Sequence, residues 1–341
     1  MNKWERLEAA VRGKPVDRPP VSAWRHFVDK EWGASEHAQA MLEFQRTYDW
    51  DFMKVNPRAT CFAEAFGNRY DPQRYEGVRP ALVEPVVKST RDLGRIRPVD
   101  AGAGAFAEQI EALGKIRGGL DGEVPFIQTV FSPLSVVGLI AGGELASLRR
   151  FIAEDPVALE AATQAVAASL VAYARACLEA GASGIFFAIV RLAREGALTR
   201  EEYARFGRPY DLQVLEAVRP HPTGAQPDFK LNILHVCGDG VYFPDVHDYP
   251  VQAINWNSRG PGNPSLAQAQ AYTLAAVAGG VAQDGAIRRG TPSEVAAEVE
   301  SAIASTGGHR MFVTPGCTVD PSTPAENLRA LREAVDRAKT R

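Results

Sequence analysis

The stretch KLNILHVCGD, residues 230–239, is an apolar run that ends in a histidine, a cysteine and a glycine. Short, apolar and broken by glycine, it reads as a buried strand. Side chains two residues apart on a strand share a face, so His235 and Cys237 are aimed at one place where the strand ends. That arrangement directs two soft ligands at a metal, or packs two small groups into a core. The run alone leaves both readings open.

Working outward, runs of the same kind recur along the chain: VSAW (21–24), DFMKV (51–55), PFIQTVF (125–131), GIFFAIV (184–190), AINW (253–256), AGGVAQ (278–283) and MFVTPG (311–316). Longer segments of helical period lie between them, among them ALEAATQAVAASLVAYARACLEAGA. TREEYARFGRPYDLQVLEAV opens on Thr199 with an acidic first turn, while TPSEVAAEVESAIAS and STPAENLRALREAVDRA each place Ser or Thr, then Pro, before a helix-forming run. These are helix start signals. Parallel strands need crossovers of such length, and eight of them close a barrel. The expected fold is therefore α/β, a single-domain (β/α)8 TIM barrel over residues 1–341, with a doubly wound open sheet as the alternative. The irregular region 57–105 is expected to form a lid or inserted hairpin over one mouth. HPTGAQPD (221–228) and SRGPGNPS (258–265) read as barrel loops. There is no internal repeat, and GGELAS and AGAGAF do not have the spacing of a dinucleotide fingerprint.

Of the 341 residues 45% are hydrophobic and 23% charged, with a net charge of −3, so no global field favours nucleic acid or an anionic membrane. No apolar run approaches the roughly 20 residues of a bilayer span. MNKWERLEAAVRGK at the start lacks an apolar signal region, and a cytoplasmic protein is expected. Four cysteines are too few and too scattered for a disulfide scaffold. Cys61 and Cys177 read as packing residues. Cys317 differs: it ends RMFVTPGC, just past the last strand, and on a barrel it shares the C-terminal face with His235 and Cys237. Two sulfurs and one imidazole suit zinc, and three protein ligands leave one position open, as in catalytic sites. A hydrogen-bonded core histidine with two packing cysteines is the alternative.

DRPPVSAWR, FSPLSVVGLIAG, EEYARFGRPY, LHVCGD and GCTVDPSTPAENLRAL together resemble the uroporphyrinogen decarboxylase superfamily, from about residue 3 to residue 338. The resemblance implies a (β/α)8 barrel and offers two activities. Decarboxylases act without cofactor through arginines and an aspartate. Of their pattern Arg25 remains, but Asp29 stands at the second arginine, HFV replaces QAG, Asn56 marks the place of the aspartate, and Cys317 that of a histidine. Zinc methyltransferases instead move a methyl group from a corrinoid protein to a thiol such as coenzyme M. His235, Cys237 and Cys317 match their ligand triad. The resemblance thus implies a zinc-dependent methyltransferase in which a zinc-bound thiolate takes a methyl group from a donor. The donor would be methylcobalamin on a separate corrinoid carrier protein, or a small methylated molecule, because the chain has no second domain to carry it. Asp239 and Arg25 are the candidate catalytic side chains, Asp239 as partner to the ligands, fourth ligand or loop cap. Arg25 and Lys54 are placed to hold an anionic substrate tail, or else to form surface or salt-bridge contacts. Cobalamin-independent methionine synthases use a similar zinc site, but INWNSRGPGN lacks their further glutamate ligand. A porphyrinogen decarboxylase and a non-catalytic tetrapyrrole- or thiol-binding barrel are the remaining alternatives.

Overall fold

A computed structural model describes residues 1–143, 145–220 and 229–338. In chain order the strands are β1 (Met53–Val55), β2 (Arg69–Glu76), β3 (Arg79–Glu84), β4 (Phe126–Phe131), β5 (Gly184–Ile189), β6 (Ile233–Val236), β7 (Ala253–Trp256), β8 (Ala276–Val281) and β9 (Met311–Pro315). All except β2 and β3 form one parallel sheet, in the order β1-β4-β5-β6-β7-β8-β9. The open-sheet alternative, whose strand order would reverse at a switch point, is thereby set aside.

The expected strand at 21–24 is not a regular one. Val21 and Arg25 form only isolated parallel bridges, to Val313 and Val319. The segment nevertheless fills the eighth place. On one side the Val313 N–H donates to Pro20 O at 2.8 Å, and on the other the Asp51 N–H donates to Val21 O at 2.9 Å. Pro19 and Pro20 have no N–H to give, so a continuous ladder cannot form. Side chains supply the rest. The Ser22 hydroxyl donates to Phe52 O at 2.7 Å. The fully buried Asp51 carboxylate accepts from Arg6, Arg18 and the Val21 N–H, at 2.8, 2.6 and 2.8 Å.

Alternation along the strands divides the core in two. Ile127, Phe186, Ile233, Ala253, Ala276 and Phe312 fill the barrel interior. Ile185, Phe187, Leu234, Val236, Ile254 and Val313 face the surrounding helices. Burial on both faces explains why β5 reads as an unbroken apolar run.

The start signals at Thr199 and Thr291 are used as capping boxes. At Ser322-Thr323-Pro324, however, Pro324 is itself the cap residue and its helix begins at Ala325. The expectation about bilayer-length segments needs correction. Helix Pro156–Glu179 is long and apolar enough to span, but half of that stretch is buried inside the fold. Leu159, Val166, Leu170 and Tyr173 place it in the outer core. Region 57–105 does contain a hairpin, β2 with β3, and its tip at Glu76–Arg79 lines the barrel mouth. Residues 258–265 connect β7 to helix Leu266–Gln270, as a barrel loop should. The loop expected at 221–228 lies outside the described residues.

Candidate functional site

Parity places the site. On β6 Ile233 points into the barrel, so His235 does too, and it is only 5% exposed. Lys54, Thr129, Asn255 and Thr314 occupy the matching inward positions of neighbouring strands and are all buried. The interior is thus apolar below and polar at the end that carries the loops. Cys237 follows one step beyond the strand. Gly238 then turns the chain at φ +115°, where other residues are strained. At the end of β9 a Cβ on Gly316 would stand 2.5 Å from the Cα of Asn257, so only glycine lets the backbone pass there on its way to Cys317. Cys317 Sγ lies 3.6 Å from His235 Nε2. The ligand atoms of His235, Cys237 and Cys317 all lie within 4.8 Å of one another.

Asn255, which the sequence reading passed over, orients the histidine. Its Nδ2 donates to Ala278 O, Thr314 Oγ1 and Pro315 O at 3.1, 3.1 and 3.0 Å. The amide is thereby fixed with Oδ1 towards His235 Nδ1, at 2.6 Å. An amide oxygen only accepts, so Nδ1 carries the proton and the Nε2 lone pair faces the cysteines. The Phe186 ring, stacked with its centroid 5.3 Å from that of the imidazole, supports the same orientation. The available signal was an asparagine inside the otherwise apolar AINW.

The two thiols are unequal. A hydrogen bond from Cys237, helped by the Thr318 N–H, Lys54 and Arg191, lowers Cys317 to about 7 against the opposing effect of burial. The same shared hydrogen bond, with burial, raises Cys237 well above the usual thiol range. Cys317 is the sulfur that loses its proton first. Lys54 is 4% exposed and has no carboxylate partner among the described residues. Burial lowers it to about 7. Its Nζ donates to Asn56 Oδ1 and stands 4.5 Å from the centroid of the Phe186 ring. An imidazole nitrogen turned towards two soft sulfurs is a donor set that fits zinc.

The structure does not bring every expected residue here. Asp239 is exposed, and its carboxylate is not part of the three-residue cluster. Its backbone follows Gly238 outward, and the side chain lies beside Gly260. Arg25 lies over the rings of Phe27 and Phe44, at 5.0 and 5.4 Å, and donates to Pro321 O. It is absent from the residues lining the site, whereas Lys54 is among them. Trp24 and Trp256 are buried, with Trp24 at the cavity wall. Cys61 and Cys177 are buried free thiols away from the cluster.

Two spaces reach the cysteines. A cavity of about 460 Å³, under the hairpin tip, is lined by Trp24, Lys54, Phe186, His235, Cys237 and Cys317. A groove of about 680 Å³, adjoining the cavity at Arg191, Asp284 and Thr318, also reaches Cys237 and Cys317, past Asp239, Asn257 and Arg259. The arrangement can therefore admit two molecules to one pair of sulfurs.

The family model for uroporphyrinogen decarboxylase matches residues 2–338. A methylcobamide:CoM methyltransferase of Methanosarcina acetivorans is 24% identical over 353 residues, covering 98% of either chain. A uroporphyrinogen decarboxylase of Nitrosospira multiformis is 27% identical over 233 residues, which are 66% of this chain and 60% of its own. Among solved structures, a methyltransferase from Methanosarcina mazei shares the fold with a TM-score of 0.84, covering 99% of both chains at 21% identity.

Proposed function

This chain belongs to the uroporphyrinogen decarboxylase family, an enzyme family, and we propose that within it the chain is a zinc-dependent methyltransferase. It passes a methyl group to a thiol from a methylcobamide, on a separate carrier protein or free, or from another small methyl donor. The observation that carries this reading is the convergence of His235, Cys237 and Cys317 on one point at an accessible barrel mouth. Full-length similarity to a methylcobamide:CoM methyltransferase supports it.

His235, through Nε2, and the two cysteine sulfurs would hold the metal. When bound, zinc supplies Lewis acidity that turns a thiol, ordinarily of pKa about 8.5, into a thiolate. Asn255 keeps the imidazole in the tautomer that leaves Nε2 free. Trp24 and Phe186 give the cavity side an apolar wall. The groove gives the methyl donor its own approach, so donor and acceptor need not pass one another. In the transfer the acceptor sulfur forms the S–C bond, the donor keeps the electron pair of the bond it loses, and the thiol proton leaves to solvent.

Metal analysis of protein purified without chelator tests the reading, together with demethylation of free methylcobalamin by added thiol. About one zinc per chain, lost with activity in Cys317→Ala, is expected. Metal-free protein that decarboxylates a porphyrinogen would overturn the proposal and return His235 to a packing role.

A further inference from the structure

A third pocket, of about 240 Å³, lies between the hairpin tip, helix Pro133–Ile140 and the segment after β5. Arg79, Arg191 and Arg194 all line it, over an apolar floor that includes Leu139, Leu148 and Leu192. None of the described residues lining it is acidic. Among the described residues no carboxylate stands within salt-bridge distance of any of these arginines; Glu144, between the lining residues Gly143 and Leu145, lies outside the described residues. The Arg194 side chain instead lies across Gly238, beside Cys237, and its Nε is buried without a hydrogen-bond partner. Arg191 holds a left-handed backbone at φ +58°, which is strained for a residue with a Cβ. Arg79 and Arg191 are solvent-exposed and Arg194 is half-buried, with one guanidinium nitrogen on the Glu195 carbonyl, so three positive charges gather at an open recess that draws an anion. Strain retained at such a place marks a position held for a purpose.

We propose that this pocket is an oxyanion-binding site, for a phosphate, sulfate or carboxylate group, with Arg79 and Arg191 as its principal donors. Guanidinium forks match the paired oxygens of such groups. The hairpin supplies Arg79, so binding there ties the hairpin tip to the barrel. Arg79, Val190 and Arg191 also line the cysteine cavity. A molecule anchored here by its oxyanion would extend its other end towards the sulfurs. That extension makes it a substrate of the transferase, and this part alone rests on the function proposed above.

Calorimetric titration of the full chain with inorganic phosphate at low ionic strength tests the site. Sulfate and acetate as competitors distinguish a tetrahedral from a planar oxyanion. One saturable site is expected, weakened about tenfold or more in Arg79→Ala and in Arg191→Gly. Arg191→Gly relieves the backbone strain, so its loss of binding cannot be put down to misfolding. Cys317→Ala is expected to lose zinc but to bind phosphate as the parent does, which separates this proposal from the metal. Absence of saturable binding by all three anions would overturn it. So would binding that survives both arginine variants or disappears in Cys317→Ala.

Discussion

His235 Nδ1 stands 2.6 Å from Asn255 Oδ1, and the two residues are register partners on adjacent strands. The pairing is rigid because the Asn255 amide donates to three further acceptors. Removing a partner that fixes a ligating histidine typically costs ten- to a hundredfold in metal affinity. Asn255→Ala is expected to weaken zinc by about that factor, measured by competition with a chelating dye. Asn255→Asp, which keeps the acceptor, should lose less. Equal affinity in the alanine variant would show that the ring is oriented by Phe186 alone.

The barrel is closed at its irregular stave through Asp51. Its carboxylate is fully buried between Arg6 and Arg18 and also accepts from the Val21 N–H. Removing one partner from a buried ion pair leaves an uncompensated charge, at about 3–5 kcal/mol. Asp51→Ala should lose that much stability in urea denaturation. A loss below about 1 kcal/mol would assign closure to the backbone bonds.

Lys54 gives a pH signature. Burial lowers its pKa from 10.5 to about 7 in the folded chain. Between those values the unfolded chain binds a proton that the folded chain does not, so stability rises with pH across the window and is lost as pH falls through about 7. Lys54→Met should flatten that rise and stabilise the metal-free chain near pH 7 by on the order of 4 kcal/mol. An unchanged slope between pH 7 and 10 would mean that Lys54 stays charged in the fold.

Asp211 has the opposite sign. It is fully buried, accepts hydrogen bonds from Tyr203 and Tyr249, and is raised by burial from 3.8 to about 7. The folded chain keeps its proton where the unfolded chain has lost it. The stability this contributes is complete below about pH 4 and lost as pH rises to about 7. Asp211→Asn retains an acceptor for both tyrosines and cannot ionise. It should be more stable than the parent at pH 8 by on the order of 4 kcal/mol, with little difference at pH 4. Thermal melts at the two pH values decide it. Equal stabilities at pH 8 would place the proton elsewhere.

Much of this protein is determined locally. The near-continuous apolar runs GIFFAIV and LNILHVC specify buried parallel strands, because a strand covered on both faces must be apolar throughout. Parity along KLNILHVCGD is enough to aim His235 and Cys237 at one point, since the strand period is two. Thr199 and Thr291 cap their helices because a cap needs only the next three residues. The features that only tertiary structure decided depend on what the chain meets far away in sequence. VSAW has strand composition, yet two prolines and the geometry of closure leave it with bridges and side-chain bonds. Asp239 follows Cys237 by two residues, but the turn at Gly238 ends strand parity and puts its side chain on the wall of the outer groove instead of in the cluster. Arg25 matches a family motif, and the aromatic pair Phe27 and Phe44 draws its guanidinium away from the cavity. Asn255 becomes an orienting residue through strand register, and Arg79, Arg191 and Arg194 share a pocket through the placement of a hairpin. Periodicity records which face a residue lies on. Only closure of the barrel determines which residues of other strands and loops that face will meet.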